Sequence, residues 1–245
     1  MTDQNRQQRK KNSPCGIFDS EHYIAINVAR WEAVEKLIRT LPGTDLKTVF
    51  DVGCGPGWFA DKFMETGMEV TGLEARPELV AEARLRVPSA TFQLFNADHP
   101  LTPGNLPAAD LVFCFGLLYH LENPFNAVRA LKELTGRICL VELIITPGPD
   151  PIFRFTPESS NINQGFTHFA IIPTLSTTVA MLYAAGFGHV YEFTGPIAHA
   201  DFEETPTMLR RRHVLLSSHN EIIHNDLQYI PPVHIPKYDY RKTAP

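Results

Sequence analysis

The residues that could do chemistry in this chain stand at the ends of apolar runs. Asp51, Gly53, Cys54, Gly55 and Gly57 fall together in the stretch TVFDVGCGPGWFAD. Glycine reaches backbone angles closed to other residues and lets a ligand come close to the chain, so an acid followed by alternate glycines suits a bound nucleotide. Glu74 closes MEVTGLE, where an acid can accept hydrogen bonds from both hydroxyls of a ribose. Asn96-Ala97-Asp98 closes ATFQLFNAD, and Phe115 to Leu121 carries Tyr119 and His120. A histidine titrates near neutral pH and can take a proton from a hydroxyl or an amine, which makes His120 the candidate general base. Each residue also has a plainer reading. The glycines serve a tight turn, Glu74 faces a helix dipole ahead of Pro77, Asp98 makes a turn, and His120 caps a helix or packs.

These residues need elements that hold them in register. Leu46–Val52 reads as a buried strand, Trp58–Thr66 as a helix, Met68–Glu74 as a strand and Pro77–Val87 as a helix with proline in its first turn. Ala90–Asp98, Asp110–Gly116 and Gly136–Ile145 read as further strands, with a helix over Asn123–Leu134. Continuous apolar strands alternating with helices give a parallel sheet covered on both faces. Ahead of it, Glu21–Thr40 repeats Ile24, Val28, Trp31, Val34, Leu37 and Ile38 at helical steps. Thr146–Pro173 reads as a long ordered loop. A helix over Thr174–Ala185 and strands at Gly188–Gly195 and Arg211–Ser218 close the pattern.

The glycine spacing separates two kinds of nucleotide. A dinucleotide turn is G-x-G-x-x-G, with its third glycine packing helix on strand. Here the last glycine comes one place early and Trp58 stands in its position. FDVGCGPGWFA resembles the first motif of the class I S-adenosylmethionine-dependent methyltransferases, and the resemblance extends from about Leu46 to Ser218. It implies a seven-stranded α/β Rossmann-like sheet, mostly parallel with the last strand antiparallel, helices on both faces, and S-adenosyl-L-methionine as cofactor. It implies cofactor contacts from Asp51, Gly53, Cys54, Gly55, Gly57, Glu74, Ala97, Asp98, Phe115 and Tyr119. Asp98 would meet the adenine amine, Ala97 would lend a backbone amide, and Asp51 would lie near the amine of the methionine. Arg76 flanks the adenine or is solvated. Arg30 pairs with the methionine carboxylate or is an ordinary surface arginine. LLYHLENP is similar to the matching stretch in methyltransferases of small metabolites and in the wobble-uridine tRNA group.

Composition sets the remaining expectations. At 44% hydrophobic residues, the chain can bury the core of one full α/β domain. The expected organisation is a disordered leader over 1–14 and a single domain over 15–245, with an N-terminal helix over 20–41. Substrate-side loops are expected over 146–173 and 196–207, and a tail over 219–245. The net charge of −5 argues against holding a long polyanion by bulk electrostatics. The basic clusters Arg6–Lys11 and Arg210–Arg212 leave tRNA open. The four cysteines form no CxxC pair, which points to a reducing, cytoplasmic setting. No metal is expected, because His213, His219, His224 and His234 match no ligand spacing. There is no apolar run of membrane-spanning length. The expected function is methyl transfer to an oxygen or nitrogen of a small-molecule metabolite. The alternatives are a tRNA-modifying methyltransferase and a non-catalytic protein of the same fold.

Overall fold

In the central strand β4 (Ala109–Phe115), Leu111, Phe113 and Phe115 pack into one apolar cluster, and Val112 and Cys114 into another. A strand apolar on both sides must lie between two layers, and the computed structural model shows that arrangement. It describes residues 14–42, 45–99, 106–204 and 211–232. Most of the polar leader, Gly43, Arg210, His234, and parts of the Pro100–Ala109 turn, the Pro196–Thr207 loop and the tail lie outside the described residues.

The elements follow in chain order. A 3-10 turn (Pro14–Asp19) leads into α1 (Glu21–Thr40), then β1 (Thr48–Val52), α2 (Trp58–Glu65), β2 (Glu69–Glu74), α3 (Pro77–Arg86) and β3 (Thr91–Leu94). After β4 come α4 (Pro124–Leu134), β5 (Thr135–Ile144), β6 (Phe153–Pro157) and β7 (Phe169–Pro173). The described chain closes with α5 (Leu175–Ala184), β8 (His189–Phe193), β9 (Arg212–Ser218) and β10 (Leu227–Ile230). Trp31, Phe59, Phe63 and Ala83 bring α1, α2 and α3 onto one face of the sheet. Val128, Leu131 and Leu182 bring α4 and α5 onto the other.

The main sheet has eight strands in the order β10-β8-β9-β5-β4-β1-β2-β3. β3, β2, β1, β4 and β5 pair in parallel, and β9 runs antiparallel to β5. This is the expected Rossmann-like sheet with its reversed strand, plus one strand more. The addition is β10, antiparallel to β8 at the sheet's edge. It comes from the tail, where no periodicity announced a strand. Tyr183 anchors it by donating its hydroxyl proton to the Ile230 carbonyl.

Thr146–Pro173, expected as a long ordered loop, contains two strands. β6 and β7 form a two-stranded antiparallel hairpin, with Phe155 opposite Ile171 and Pro157 opposite Phe169. Its alternation was hidden because Phe153, Phe155 and Phe169 remain exposed, while only Ala170 and Pro173 are buried. β1 lies between β2 and β4, so the chain order reverses there. Ligands of open α/β sheets bind beyond the carboxyl ends of the strands at such a point.

Candidate functional site

β1 ends at Val52, and the chain turns through Gly53, Gly55 and Gly57 into α2. All three glycines have positive φ, at 76°, 52° and 87°. The turn is tied to β2, because the Gly53 N–H donates to the Leu73 carbonyl at 2.7 Å. Two clefts open on it, with about 740 and 1210 Å³ of empty space, counting the part open to solvent. The smaller is lined by Glu74, Ala75, Leu79, Asn96 and Ala97 on the β2 and β3 side. The larger is lined by Asn27, Arg30, Trp58, Phe59, Tyr119 and Arg212 toward α1 and β9. Gly53, Gly55, Phe115, Gly116 and His120 line both, so the clefts meet beyond the ends of β1 and β4.

Glu74 fixes the floor of the smaller cleft. Its Oε2 accepts the Gly55 N–H at 3.0 Å, and its Oε1 accepts the Arg76 N–H at 3.0 Å. Burial raises its carboxyl above the ordinary range despite those two bonds. Each carboxylate oxygen has lone pairs left for a ligand. Asp51 lies deeper and lines neither cleft. Its Oδ2 is buried without a hydrogen bond, and its carboxyl is pushed up to about 8, first by burial and then by Glu74.

Several expected positions have other duties. Gly57 lines neither cleft; a Cβ there would meet Phe92 at 3.2 Å and Ala83 at 3.4 Å, so this glycine serves the packing of the turn. Ala97 lines the smaller cleft but Asp98 does not, and Asp98 Oδ1 accepts the Asn123 N–H at 2.8 Å at the start of α4. Cys54 lines the larger cleft, where burial pushes its thiol well up and leaves it a small hydrophobe. Arg76 is not solvated: its Nη2 donates to the Gln164 carbonyl at 2.9 Å, and its guanidinium lies 4.2 Å from the Phe166 ring centroid.

Arg30 is no surface arginine. It is 5% exposed, and its Nη2 donates to Glu142 Oε2 at 2.8 Å. Glu142 is fully buried and also accepts from Arg212 Nη1 at 2.9 Å. Burial alone would raise the Glu142 carboxyl, but Arg30 and Arg212 more than offset it and hold it low. Arg212 Nε reaches Asp201 Oδ2 at 3.1 Å. Tyr119 stands beside this network, 3.4 Å from Arg212 Nη1.

Sequence reasoning missed Glu142, Glu158 and Phe18. Glu142 was an acid within an apolar strand, a signal that was available. Glu158 comes 2.7 Å from His120 Nδ1, and Phe18 lies over Gly55. Both depend on how the hairpin and the 3-10 turn fold back, which no spacing encodes. The clustered histidines point elsewhere: His213 contacts Glu192, His219 contacts the Thr135 carbonyl and His224 contacts Thr40. Among the described residues, no three His, Cys, Asp or Glu side chains are grouped to hold a metal. None of the described helices is long and apolar enough to cross a membrane.

Comparison with known proteins agrees with this geometry. Residues 50–136 match the methyltransferase domain. The chain is 28% identical over 188 residues to a tRNA U34 carboxymethyltransferase of Saccharophagus degradans, covering 72% of this chain and 55% of that protein. It is 29% identical over 156 residues to a ubiquinone biosynthesis O-methyltransferase of Xanthomonas campestris pv. campestris, covering 58% and 64%. The chain thus spans between about half and two thirds of the length of these curated relatives. Among solved structures, the N-terminal domain of EvdMO1 with SAH bound superposes with a TM-score of 0.61 at 18% identity, covering 81% of this chain and 84% of that one. The glycopeptide N-methyltransferase MtfA complexed with S-adenosyl-L-methionine gives 0.56 at 15% identity, covering 78% and 93%.

Proposed function

We propose, for a chain whose domain and fold are those of a class I S-adenosylmethionine-dependent methyltransferase, that it methylates an oxygen or nitrogen of a small molecule held in the larger cleft. The observation that carries this reading is the meeting of the two clefts at Gly53, Gly55, Phe115 and His120. A donor in one cleft and an acceptor in the other come together there.

The residues fit the donor. Glu74 offers lone pairs at the sugar's expected place, and Ala97 and Asn96 line the cleft beside it. Gly53 and Gly55 line the cleft with backbone alone, Gly53 packed under Leu117 and Gly55 under Phe18. The donor supplies a methyl carbon on a positively charged sulfur, and the carbon–sulfur electron pair leaves with that sulfur. The protein's task is alignment, which can lower a barrier by roughly 7–11 kcal/mol. Phe115, Tyr119, Phe59 and Trp58 wall the junction and the larger cleft, which excludes water where charge disappears. His120, at the junction, takes the acceptor's proton.

A tRNA acceptor has one specific support, the identity to the carboxymethyltransferase. Three measurements separate the readings. Calorimetry with S-adenosylhomocysteine (SAH) should show binding, and absence of binding would sink methyl transfer altogether. A screen of hydroxyl and amine acceptors with labelled donor should give a methylated small molecule. Filter binding of bulk tRNA should be weak; salt-sensitive tRNA binding with no small-molecule product would transfer the assignment to RNA.

A further inference from the structure

The β6–β7 hairpin stands apart from the main sheet, and only one of its faces is packed. Ala170 and Ile172 turn inward to the core, while Phe153, Phe155 and Phe169 face solvent, with Phe155 68% exposed. Its two edges differ as well. Hydrogen-bonded pairs alternate along an antiparallel ladder. The Thr174 N–H donates to the Ile152 carbonyl at 3.0 Å, and the Glu158 N–H donates to the His168 carbonyl at 2.7 Å. By that alternation Arg154 and Thr156 turn their backbone groups toward β7, and Phe153, Phe155 and Pro157 turn theirs away. At the outer edge of β7, the Pro173 carbonyl accepts the Thr146 N–H at 2.8 Å. At the outer edge of β6, among the described residues, no backbone partner meets Phe153, Phe155 or Pro157.

Such an edge is a template for another strand, and a hairpin of two strands gains stability as strands are added. The groups on this edge match themselves. When β6 meets a second β6 antiparallel, with the two Phe155 residues opposite, each Phe155 N–H donates to the second copy's Phe155 carbonyl. Each Phe153 N–H donates to the second copy's Pro157 carbonyl. The N–H that proline lacks would have served only the Phe153 carbonyl, which at the rim is left to water. Sliding the strands either way is worse. Phe153 opposite Phe155 would set Arg154 directly against the second copy's Arg154, and like charges directly opposite are destabilising. Phe155 opposite Pro157 would leave the Phe155 carbonyl facing a residue with no N–H to give. In the centred register Arg154 lies across from Thr156, and the Phe155 rings meet as a cross-strand aromatic pair.

We infer that β6 is the contact between two copies of this chain, paired antiparallel about Phe155 so that the two hairpins form one four-stranded sheet. The partner is a second copy because the register that satisfies this edge is its own two-fold image, as a closed dimer requires. One five-residue strand from each side falls short of the roughly 800 Å² per partner of a stable complex, so the dimer is reversible, with a dissociation constant in the micromolar range. The loop between β6 and β7 carries Asn163, Gln164 and Gly165 over the smaller cleft, so the pairing braces the cover of that cleft in both copies. The contact does not depend on the methyl-transfer reading.

Sedimentation velocity of the full chain between about 1 and 300 μM should show monomer and dimer in exchange, the dimer growing with concentration. Amide hydrogen exchange followed by NMR locates the contact. The Phe153 and Phe155 amides should slow at least about tenfold from the low to the high end of that range, while the Arg154 and Thr156 amides, bonded to β7, stay slow at both. Phe155→Asp sets two carboxylates opposite each other across the two-fold and should raise the dissociation constant at least about thirtyfold. Because Phe155 faces solvent, this variant should keep the wild-type circular dichroism. A monomer throughout, or Phe153 and Phe155 amides that exchange equally fast at both concentrations, would overturn the inference. A dimer that Phe155→Asp leaves intact would place the interface elsewhere and overturn it as well. If the variant loses its fold, the exchange pattern of the wild type decides alone. Flotation with phosphatidylcholine–phosphatidylglycerol vesicles should leave the wild type in solution. Vesicle binding that Phe155→Asp abolishes would assign the phenylalanines to a lipid surface and refute the dimer.

Discussion

Asp51→Asn should stabilise this protein, by an amount that grows with pH. Asp51 is fully buried at the end of β1, its Oδ2 makes no hydrogen bond, and its carboxyl titrates at about 8 instead of 3.8. In the unfolded chain the same group ionises at its ordinary value. Between those two values the folded protein binds a proton that the unfolded chain has released, so stability falls as pH rises through this window. Each pH unit removes about 1.4 kcal/mol, and by pH 7 the sum is on the order of 4 kcal/mol. Asparagine has no such proton. The difference in unfolding free energy between variant and wild type should therefore rise by about 1.4 kcal/mol per unit between pH 5 and 7, and level off near pH 8.

Urea unfolding followed by circular dichroism at several pH values reads this slope directly. The slope matters more than the intercept, because the asparagine amide adds its own pH-independent unpaired group. A flat difference would mean that Asp51 is ionised in the folded protein across the range, and the argument from burial would be refuted. The same residue bears on the donor. An ammonium group brought near Asp51 would favour its ionised form, so SAH binding at pH 7 should release a proton. Calorimetry in buffers of different ionisation heat measures that release.

Other outcomes follow from the same geometry. Gly55→Ala places a methyl group in the donor cleft at φ 52°, costing about 1–2 kcal/mol of strain, but it meets Phe18 only at an ordinary 3.5 Å. The fold should persist while SAH affinity drops at least about tenfold; unchanged affinity would misplace the donor. Glu142→Gln leaves Arg30 and Arg212 buried without their carboxylate and should cost about 3–5 kcal/mol in chemical denaturation. Because the folded Glu142 carboxyl titrates below its ordinary 4.5, its contribution is present above that value and lost as pH falls through the folded value. The gap between Glu142→Gln and wild type should narrow in acid, and a gap that widens would contradict the assignment. Arg76→Ala removes one hydrogen bond and one cation–ring contact from the hairpin tip, together worth about 1.5–2 kcal/mol. It should weaken SAH binding by up to about thirtyfold and increase hydrogen exchange over residues 158–168; an unchanged exchange rate would show that Arg76 does not hold the hairpin.

The strand ends were legible because period and punctuation agreed. Apolar runs ending on Asp51 and Glu74, with glycines after the first, state both an element and its ligand. β6 and β7 were not legible, since their phenylalanines face solvent and give no buried stripe. β10 was not, because Leu227–Ile230 pairs only at an edge and takes its register from β8. Arg30 read as a partner of the methionine carboxylate or as a surface residue, because nothing one turn along α1 supplies a carboxylate to bury it against. Its partner is Glu142, more than a hundred positions away, and pairing at that range depends on the assembled sheet. Asp98 was assigned by motif to a ligand, and the competing demand of the Asn123 N–H could not be weighed without knowing that the start of α4 lies beside the end of β3. Gly57 was read as part of a cradle, although a turn and a cradle need glycine for different reasons and look alike in sequence.

The arginines bear most directly on the nature of the acceptor. Arg86 holds Asp19 through two bonds of 2.8 Å and so ties the 3-10 turn to α3. Arg76 holds the hairpin tip, and Arg30 and Arg212 share Glu142. Among the described residues, the guanidinium groups that line the clefts are thus already engaged inside the molecule. A phosphate would have to displace a carboxylate from Arg30, Arg86 or Arg212, or the Gln164 carbonyl from Arg76. Selection in the larger cleft then falls to shape and to the base, and salt should matter little, because partly buried pairs are weakly screened. Methyl transfer to a small hydroxyl acceptor should change less than about threefold between 0.05 and 0.2 M salt. A ligand neutralising six or more phosphate charges would lose about 10³-fold or more in affinity over the same range. A steep salt dependence of kcat/KM would therefore show that phosphates do reach these arginines, and that the acceptor is a polyanion.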